Sequence, residues 1–271
     1  MNETASPATP VQHIVRLPPP RDGETIAVWF SCGAASAVAA KRTVERYGDR
    51  CNVRVINNPV AEEHEDNQRF LRDVEKWIGV EVETAVNDNF PSCSAVEVWA
   101  KRKYMSGIAG APCTYELKKQ ARQQWEAKNN ADWHVLGFTL DEQARAERFA
   151  KTERSNLLPI LVSERITKAD CFRILFAADI EIPMIYKLGY PNANCIGCCK
   201  ATSPTYWNHV RSVHPEIFEQ RATQSREIGA KLVRFNGERM FLDALPEDAT
   251  GDAMEGLNFE CGSFCEERTL F

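Results

Sequence analysis

Ten of the 271 residues are cysteine, at positions 32, 51, 93, 113, 171, 195, 198, 199, 261 and 265. Asn194-Cys195-Ile196-Gly197-Cys198-Cys199-Lys200 contains a Cys-x-x-Cys, and thiolates two residues apart in a turn can hold one metal ion or one cluster together. Cys113 stands alone in the preceding half, and Cys261 and Cys265 close the chain. Their grouping points to metal, cluster or redox chemistry rather than a disulfide framework. Cys51 and Cys171 lie inside apolar patterns and are expected to be small buried hydrophobes.

A second chemical feature is Ser31-Cys32-Gly33-Ala34-Ala35-Ser36, set between an apolar strand-like run and an Ala-rich helical stretch. Small residues there let backbone N–H groups approach phosphate oxygens, and the following helix N-terminus adds positive partial charge. Ser31 and Ser36 can donate through their hydroxyls and Gly33 permits the turn. The loop is neither a Walker loop nor a GxGxxG fingerprint. A plain packing turn reads the same residues equally well.

The elements that position these groups follow from hydrophobic pattern. Strands are expected over Thr25–Phe30, Cys51–Ile56, Val80–Ala85, Trp133–Phe138 and Leu157–Val162. Helices are expected from the Ala-rich stretch to Tyr47, over 66–78, Ser94–Tyr104, Tyr115–Trp125, Asp141–Ala150, Lys168–Ala178 and Pro215–Ile228. Alternating strands and helices imply a Rossmann-like, doubly wound parallel α/β sheet with its ligand at the carboxyl ends of the strands. The expected organisation is a Pro-rich flexible leader over 1–22, an α/β domain over 23–182, and a small Cys-containing helical region over 183–271.

With 33 Lys+Arg against 38 Asp+Glu the net charge is −5, which argues against a broad DNA-coating surface but leaves room for a local basic groove. No apolar stretch approaches the ~20 residues that span a bilayer, and Met1-Asn2-Glu3-Thr4 lacks the features of a secretory signal. No membrane partner is expected, and the expected location is cytoplasmic.

The loop at Ser31 resembles the PP-loop of the adenine-nucleotide α-hydrolase superfamily, written S-G-G-x-D-S/T. Ser31, Gly33 and Ser36 match; Cys32 replaces a Gly and Ala35 replaces the Asp associated with magnesium-ATP cleavage. Further matches come in chain order. Asn57-Asn58-Pro59 and Glu62-Glu63-His64-Glu65 stand where the family has an acidic turn against the nucleoside. Pro112-Cys113-Thr114-Tyr115-Glu116-Leu117-Lys118 is similar to the P-C-T-x-x-L-K segment of phosphoadenosine-phosphosulfate (PAPS) reductase-like proteins. The run from Gly137 through Glu142 to Arg145 resembles their G-x-x-x-x-E-x-x-R segment. Ile182–Tyr190 resembles the I-x-P-L-Y-x-x-G-Y run that leads into a cysteine motif.

The resemblance implies an enzyme that binds PAPS, adenylyl sulfate (APS) or ATP, with or without Mg2+, and reduces or transfers sulfur. Ser31, Gly33, Ala34, Ser36 and Gly137 would then border the nucleotide, and Lys118 and Arg145 would neutralise phosphate or sulfate, with Glu142 orienting Arg145. Related APS reductases hold a 4Fe-4S cluster with a cysteine pair at the Cys113 segment and a later Cys-x-x-Cys. Here Thr114 stands in place of one of that pair, so Cys199, Cys261 or Cys265 would complete the set with Cys113, Cys195 and Cys198. Zinc is the alternative metal, and free thiols the third option.

The tail Glu260-Cys261-Gly262 resembles the mobile E-C-G-x-H of PAPS reductases, whose cysteine attacks sulfur; Phe264 replaces the His. Cys261 is thus a candidate nucleophile with a thioredoxin-like reductant as partner. Glu260, Glu266 and Glu267 crowd it with negative charge, so Cys261 and Cys265 also read as ligands. The other enzyme class open to the chain is a PP-loop pyrophosphatase that adenylates a nucleic-acid base for iron–sulfur-dependent thiolation. A non-catalytic nucleotide- or nucleic-acid-binding module with structural zinc is a third reading, and a homodimer is compatible with each.

Overall fold

Thr25-Ile26-Ala27-Val28-Trp29 is apolar on both faces, which suits a strand covered on both sides. The computed structural model describes residues 19–108 and 110–254, and places this strand, β1 (Thr25–Trp29), inside a sheet of order β3-β2-β1-β4. Its partners β2 (Asn52–Asn57), β3 (Val82–Thr84) and β4 (Trp133–Val135) all run parallel to their neighbours, with Val28 opposite Val55 on one side and Val135 on the other.

Period-2 alternation decides what each face meets. Ile26, Val28 and Phe30 pack with α1 (Ala34–Tyr47), α2 (Asn67–Ile78) and α8 (Lys168–Ala177). Ala27, Trp29 and Ile56 face Trp125 of α5 (Ala121–Lys128) and Ala146 and Phe149 of α6 (Gln143–Thr152). The sheet is therefore doubly wound. Its order reverses between β1 and β4, and such a reversal opens a crevice at the carboxyl ends of those strands.

The expected strand at Leu157–Val162 does not form. Leu157 makes one parallel bridge to His134, and the chain then turns through Pro159 into α7 (Ile160–Ser163). Pro159 has no N–H for a ladder, and the apolar residues are buried by a helical turn instead. The expected helix at Tyr115–Trp125 starts earlier, at α4 (Pro112–Thr114), and passes through a π-helical stretch, Tyr115–Gln120, before α5. Sustained π geometry is rare and concentrates at functional sites.

The C-terminal part comprises α9 (Met184–Lys187), α10 (Pro204–Val213), α11 (Pro215–Ile228) and a hairpin of β5 (Val233–Phe235) and β6 (Glu238–Met240). Its core joins Tyr206, Trp207 and Phe218 to Val98 and Trp99 of α3 (Ala95–Arg102) and to Cys113 and Leu117. The segment bearing Cys113 is thereby clamped between the sheet domain and the cysteine turn. Among the described residues no helix is long and apolar enough to cross a membrane.

Candidate functional site

β1 gives out at Trp29, and Phe30 to Gly33 lead directly into α1. Gly33 is the extended residue before the helix, and no acidic side chain occupies the helix's first turn, so that end keeps its attraction for anions. The Ser36 hydroxyl donates to Gly33 O at 2.9 Å and accepts from Ser31 N at 3.2 Å, with Ser31 Oγ 3.3 Å away. Cys32 takes φ 55°, the left-handed region that a glycine would enter without strain. Its thiol is buried against Asn57 Nδ2, 3.5 Å away, and burial pushes it far above the usual thiol range. Cys32 is a buried packing group, not a nucleophile.

β4's exit closes on the same loop. A Cβ on Gly137 would stand 2.7 Å from Ser36 N and 3.0 Å from Ser36 Cα, both backbone atoms. Only glycine lets the two carboxyl ends meet. Gly137→Ala is expected to cost about 1–3 kcal/mol of stability, as overpacking does, and to weaken nucleotide binding with it. Denaturant melts and titration with nucleotide check both. Above the loop, Tyr186 Oη lies 3.4 Å from Ala34 N, and burial pushes its hydroxyl up to about 12. The neutral phenol thus covers the Ala34 amide, and a phosphate that used that amide would displace it.

Beside Gly137, Thr139 and Glu142 form a reciprocal cap, and Glu142 Oε1 accepts from Arg145 Nη1 at 2.7 Å. The Arg145 guanidinium lies 5.2 Å from the Phe138 ring centroid. Glu142 therefore orients Arg145 at the end of β4, in the i, i+3 relation.

Lys118 is enclosed rather than exposed. Its Nζ donates to Asn58 O at 2.7 Å, just past β2, and to Glu63 Oε1 at 3.1 Å. Burial pushes the Glu63 carboxyl above its usual range, and the Lys118 charge partly offsets that. Glu62 serves α3: its carboxylate accepts from Ala95 N and Ser94 Oγ, each at 2.7 Å, while its backbone O accepts from Ile196 N at 2.9 Å. The acidic turn is thus the joint between the crevice, the Lys118 helix and the cysteine turn.

The thiols converge on the other side of that joint. Cys113 Sγ lies 4.0 Å from Cys199 Sγ, and Cys199 donates to Met105 O at 3.2 Å. The contact with Cys199 brings the Cys113 thiol down to about 7 against the pull of burial. Cys195 and Cys198 share the Tyr206 hydroxyl, which accepts from Cys198 N at 3.0 Å and approaches Cys195 O at 3.4 Å. All four cysteines are buried, as are Cys51 and Cys171. Two thiolates on one tetrahedral ion at ~2.3 Å stand ~3.8 Å apart, so the Cys113–Cys199 spacing fits a shared metal. Among the described residues no group of three or more His, Cys, Asp or Glu side chains is assembled for a metal ion. Cys261 and Cys265 lie outside the described residues.

Pattern alone did not single out Tyr186 and Tyr206, each a lone aromatic whose hydroxyl does the work. Nor did it distinguish Asn57, whose Nδ2 donates to Phe30 O at 2.7 Å and fixes the loop's root.

No family model and no curated protein matches the chain. Among solved structures it is similar to U34-tRNA thiolase NcsA from Methanococcus maripaludis, determined with its 4Fe-4S cluster. The identity is 13%, over 77% of this chain and 73% of that one, with a TM-score of 0.41.

Proposed function

We propose that this chain is an adenine-nucleotide-dependent sulfur-transfer enzyme. It activates an acceptor at the carboxyl end of its sheet and delivers sulfur from the Cys113–Cys199 site. The observation that carries this reading is the dual role of one segment. The 112–120 stretch bears Cys113, 4.0 Å from Cys199, and Lys118, whose ammonium bonds Asn58 at the end of β2. Crevice and thiols are therefore fixed to one another.

In this reading Ser31, Gly33, Ala34 and Ser36 bind phosphate through amides and hydroxyls, and Arg145, aimed by Glu142, neutralises its charge. An oxygen of the acceptor attacks the α-phosphorus of ATP, pyrophosphate leaves, and sulfur then displaces AMP. Cys113 and Cys199, with Cys195 and Cys198 on the adjoining turn, would hold a metal or cluster. Bound there, it would supply sulfur in reduced, nucleophilic form. The acceptor class follows from charge. Lys101, Arg102, Lys103 and Tyr104 are consecutive and exposed, and the next residue, Met105, receives the Cys199 thiol. Three adjacent cations and a ring beside the sulfur site, in a chain of net charge −5, favour a nucleic acid, held by its phosphates with a base stacked.

Anaerobic protein given ATP, magnesium, sulfide and mixed RNA should form thiolated nucleosides, with one AMP per thiolation, detected by mass spectrometry. Sulfite from PAPS or APS, with no AMP formed, would replace this reading with sulfonucleotide reduction. Ala35, standing where an acidic residue would serve magnesium, favours that second reading.

A further inference from the structure

Two buried donors at the sulfur site have no oxygen or nitrogen acceptor: Nε of Arg221 and the indole Nε1 of Trp99. The two residues are 2% and 1% exposed, and the guanidinium lies 4.8 Å from the Trp99 ring centroid. Each faces sulfur. Gly197, at φ 69°, forms the middle of the Cys195–Cys198 turn; a Cβ there would stand 3.1 Å from Arg221 Cγ and 3.5 Å from its Nε. The Trp99 N–H is turned toward Cys113, short of full hydrogen-bond geometry, and lowers its pKa.

Among the described residues the guanidinium's polar contact is a long one, Nη1 to Gln224 Oε1 at 3.4 Å. No described carboxylate forms an ion pair with it. A guanidinium taken out of water without a counter-charge is costly, and stacking on an indole recovers only part of that cost. Natural folds seldom leave such a group for packing alone. The charge it lacks is the charge that a thiolate centre has in excess, because a divalent metal held by more than two thiolates is a net anion.

We infer that Arg221, with the Trp99 N–H beside it, is the built-in counter-charge of an anionic sulfur centre formed by Cys113, Cys199 and the Cys195–Cys198 turn. This rests on the sulfur-centre reading above and adds a positioning residue to it. Arg221 holds no ligand of its own. It stabilises the loaded state and penalises the empty one.

The test uses the full chain and Arg221→Met, with Arg221→Lys as the conservative variant. Cobalt(II) is titrated in anaerobically, read by thiolate-to-metal charge-transfer absorption, and the metal-free proteins are melted separately. Metal-free Arg221→Met should melt higher than wild type, by roughly 2–4 °C for a chain of this size, while its cobalt affinity falls about tenfold. Arg221→Lys should keep most of the affinity. A lower metal-free melting temperature, or an unchanged cobalt affinity, would mean that Arg221 only packs, and would overturn the inference alone. A wild-type chain with no charge-transfer band overturns the sulfur-centre reading and the inference with it.

Discussion

Replacing Lys118 with methionine should destabilise the chain by about 3–5 kcal/mol, the usual cost of orphaning one partner of a buried ion pair. The Lys118 side chain is 3% exposed and that of Glu63 10%, so solvent does little to screen the pair. Loss of the ammonium also leaves Asn58 O without that donor and frees the joint between the 112–120 segment and β2. Restoring neutrality with Glu63→Gln in the same chain should recover more than half of the loss, which a double-mutant cycle measures.

The deficit should also depend on pH, with a definite sign. Burial already raises the folded-state pKa of Glu63, and Lys118 is its principal offset. Without Lys118 the native state binds a proton that the unfolded chain, with Glu near ~4.3, has released. A group raised in the folded state contributes stability at low pH and loses it as pH rises through the folded value. The Lys118→Met deficit should therefore shrink between about pH 8 and about pH 5. Denaturant melts across that range check it. A deficit that is flat with pH, or a loss under ~1 kcal/mol, would mean the pair is a minor surface contact.

The second large effect concerns Cys113. Its contact with Cys199 is the leading cause of a thiol brought down to about 7, so it is half ionised near neutral pH. Cys199→Ser removes that contact. The midpoint of Cys113 alkylation should then move up toward the ordinary thiol range near ~8.5, and the rate at neutral pH should fall roughly tenfold or more. Site-resolved mass spectrometry after iodoacetamide pulses at a series of pH values reads both. Cys51→Ser, remote in the other core, should change neither. An unshifted Cys113 midpoint in Cys199→Ser would remove the thiol pair from the account.

The crevice was legible in the sequence because its signals are local. Thr25–Trp29 is apolar and followed at once by small residues, and one face of α2 carries Phe70, Val74 and Ile78, all buried. Gly137 and the Glu142–Arg145 spacing were readable for the same reason, since three residues apart on a helix is a contact. The strand expected at Leu157–Val162 failed because a short apolar run fits a buried strand or a buried helical turn alike, and Pro159 decided for the turn.

The sulfur site was only half legible. Sequence spacing displays Cys195 and Cys198 as a pair, yet the sulfur contact the fold makes is Cys113 with Cys199, 86 residues apart. Only packing of the 112–120 segment against the C-terminal helices brings those two together. Lys118 reads as a surface cation in a run of charged residues, and its burial comes from the π-helical stretch, which leaves no pattern of its own. Arg221 sits in a helix with Glu216, Glu219 and Glu227 and looks solvated. Its position beneath Gly197 is visible only in three dimensions.

The central claim is that an adenine nucleotide sits where β1 and β4 end, within reach of the cysteine turn. Hydrogen exchange with mass spectrometry, on anaerobic protein with and without ATP, APS or PAPS, tests it most directly. At least one of the three should slow exchange in peptides covering 31–37 and 136–145, with slower exchange also at 58–64. Protection confined to other segments, or none with any of the three nucleotides, would contradict it.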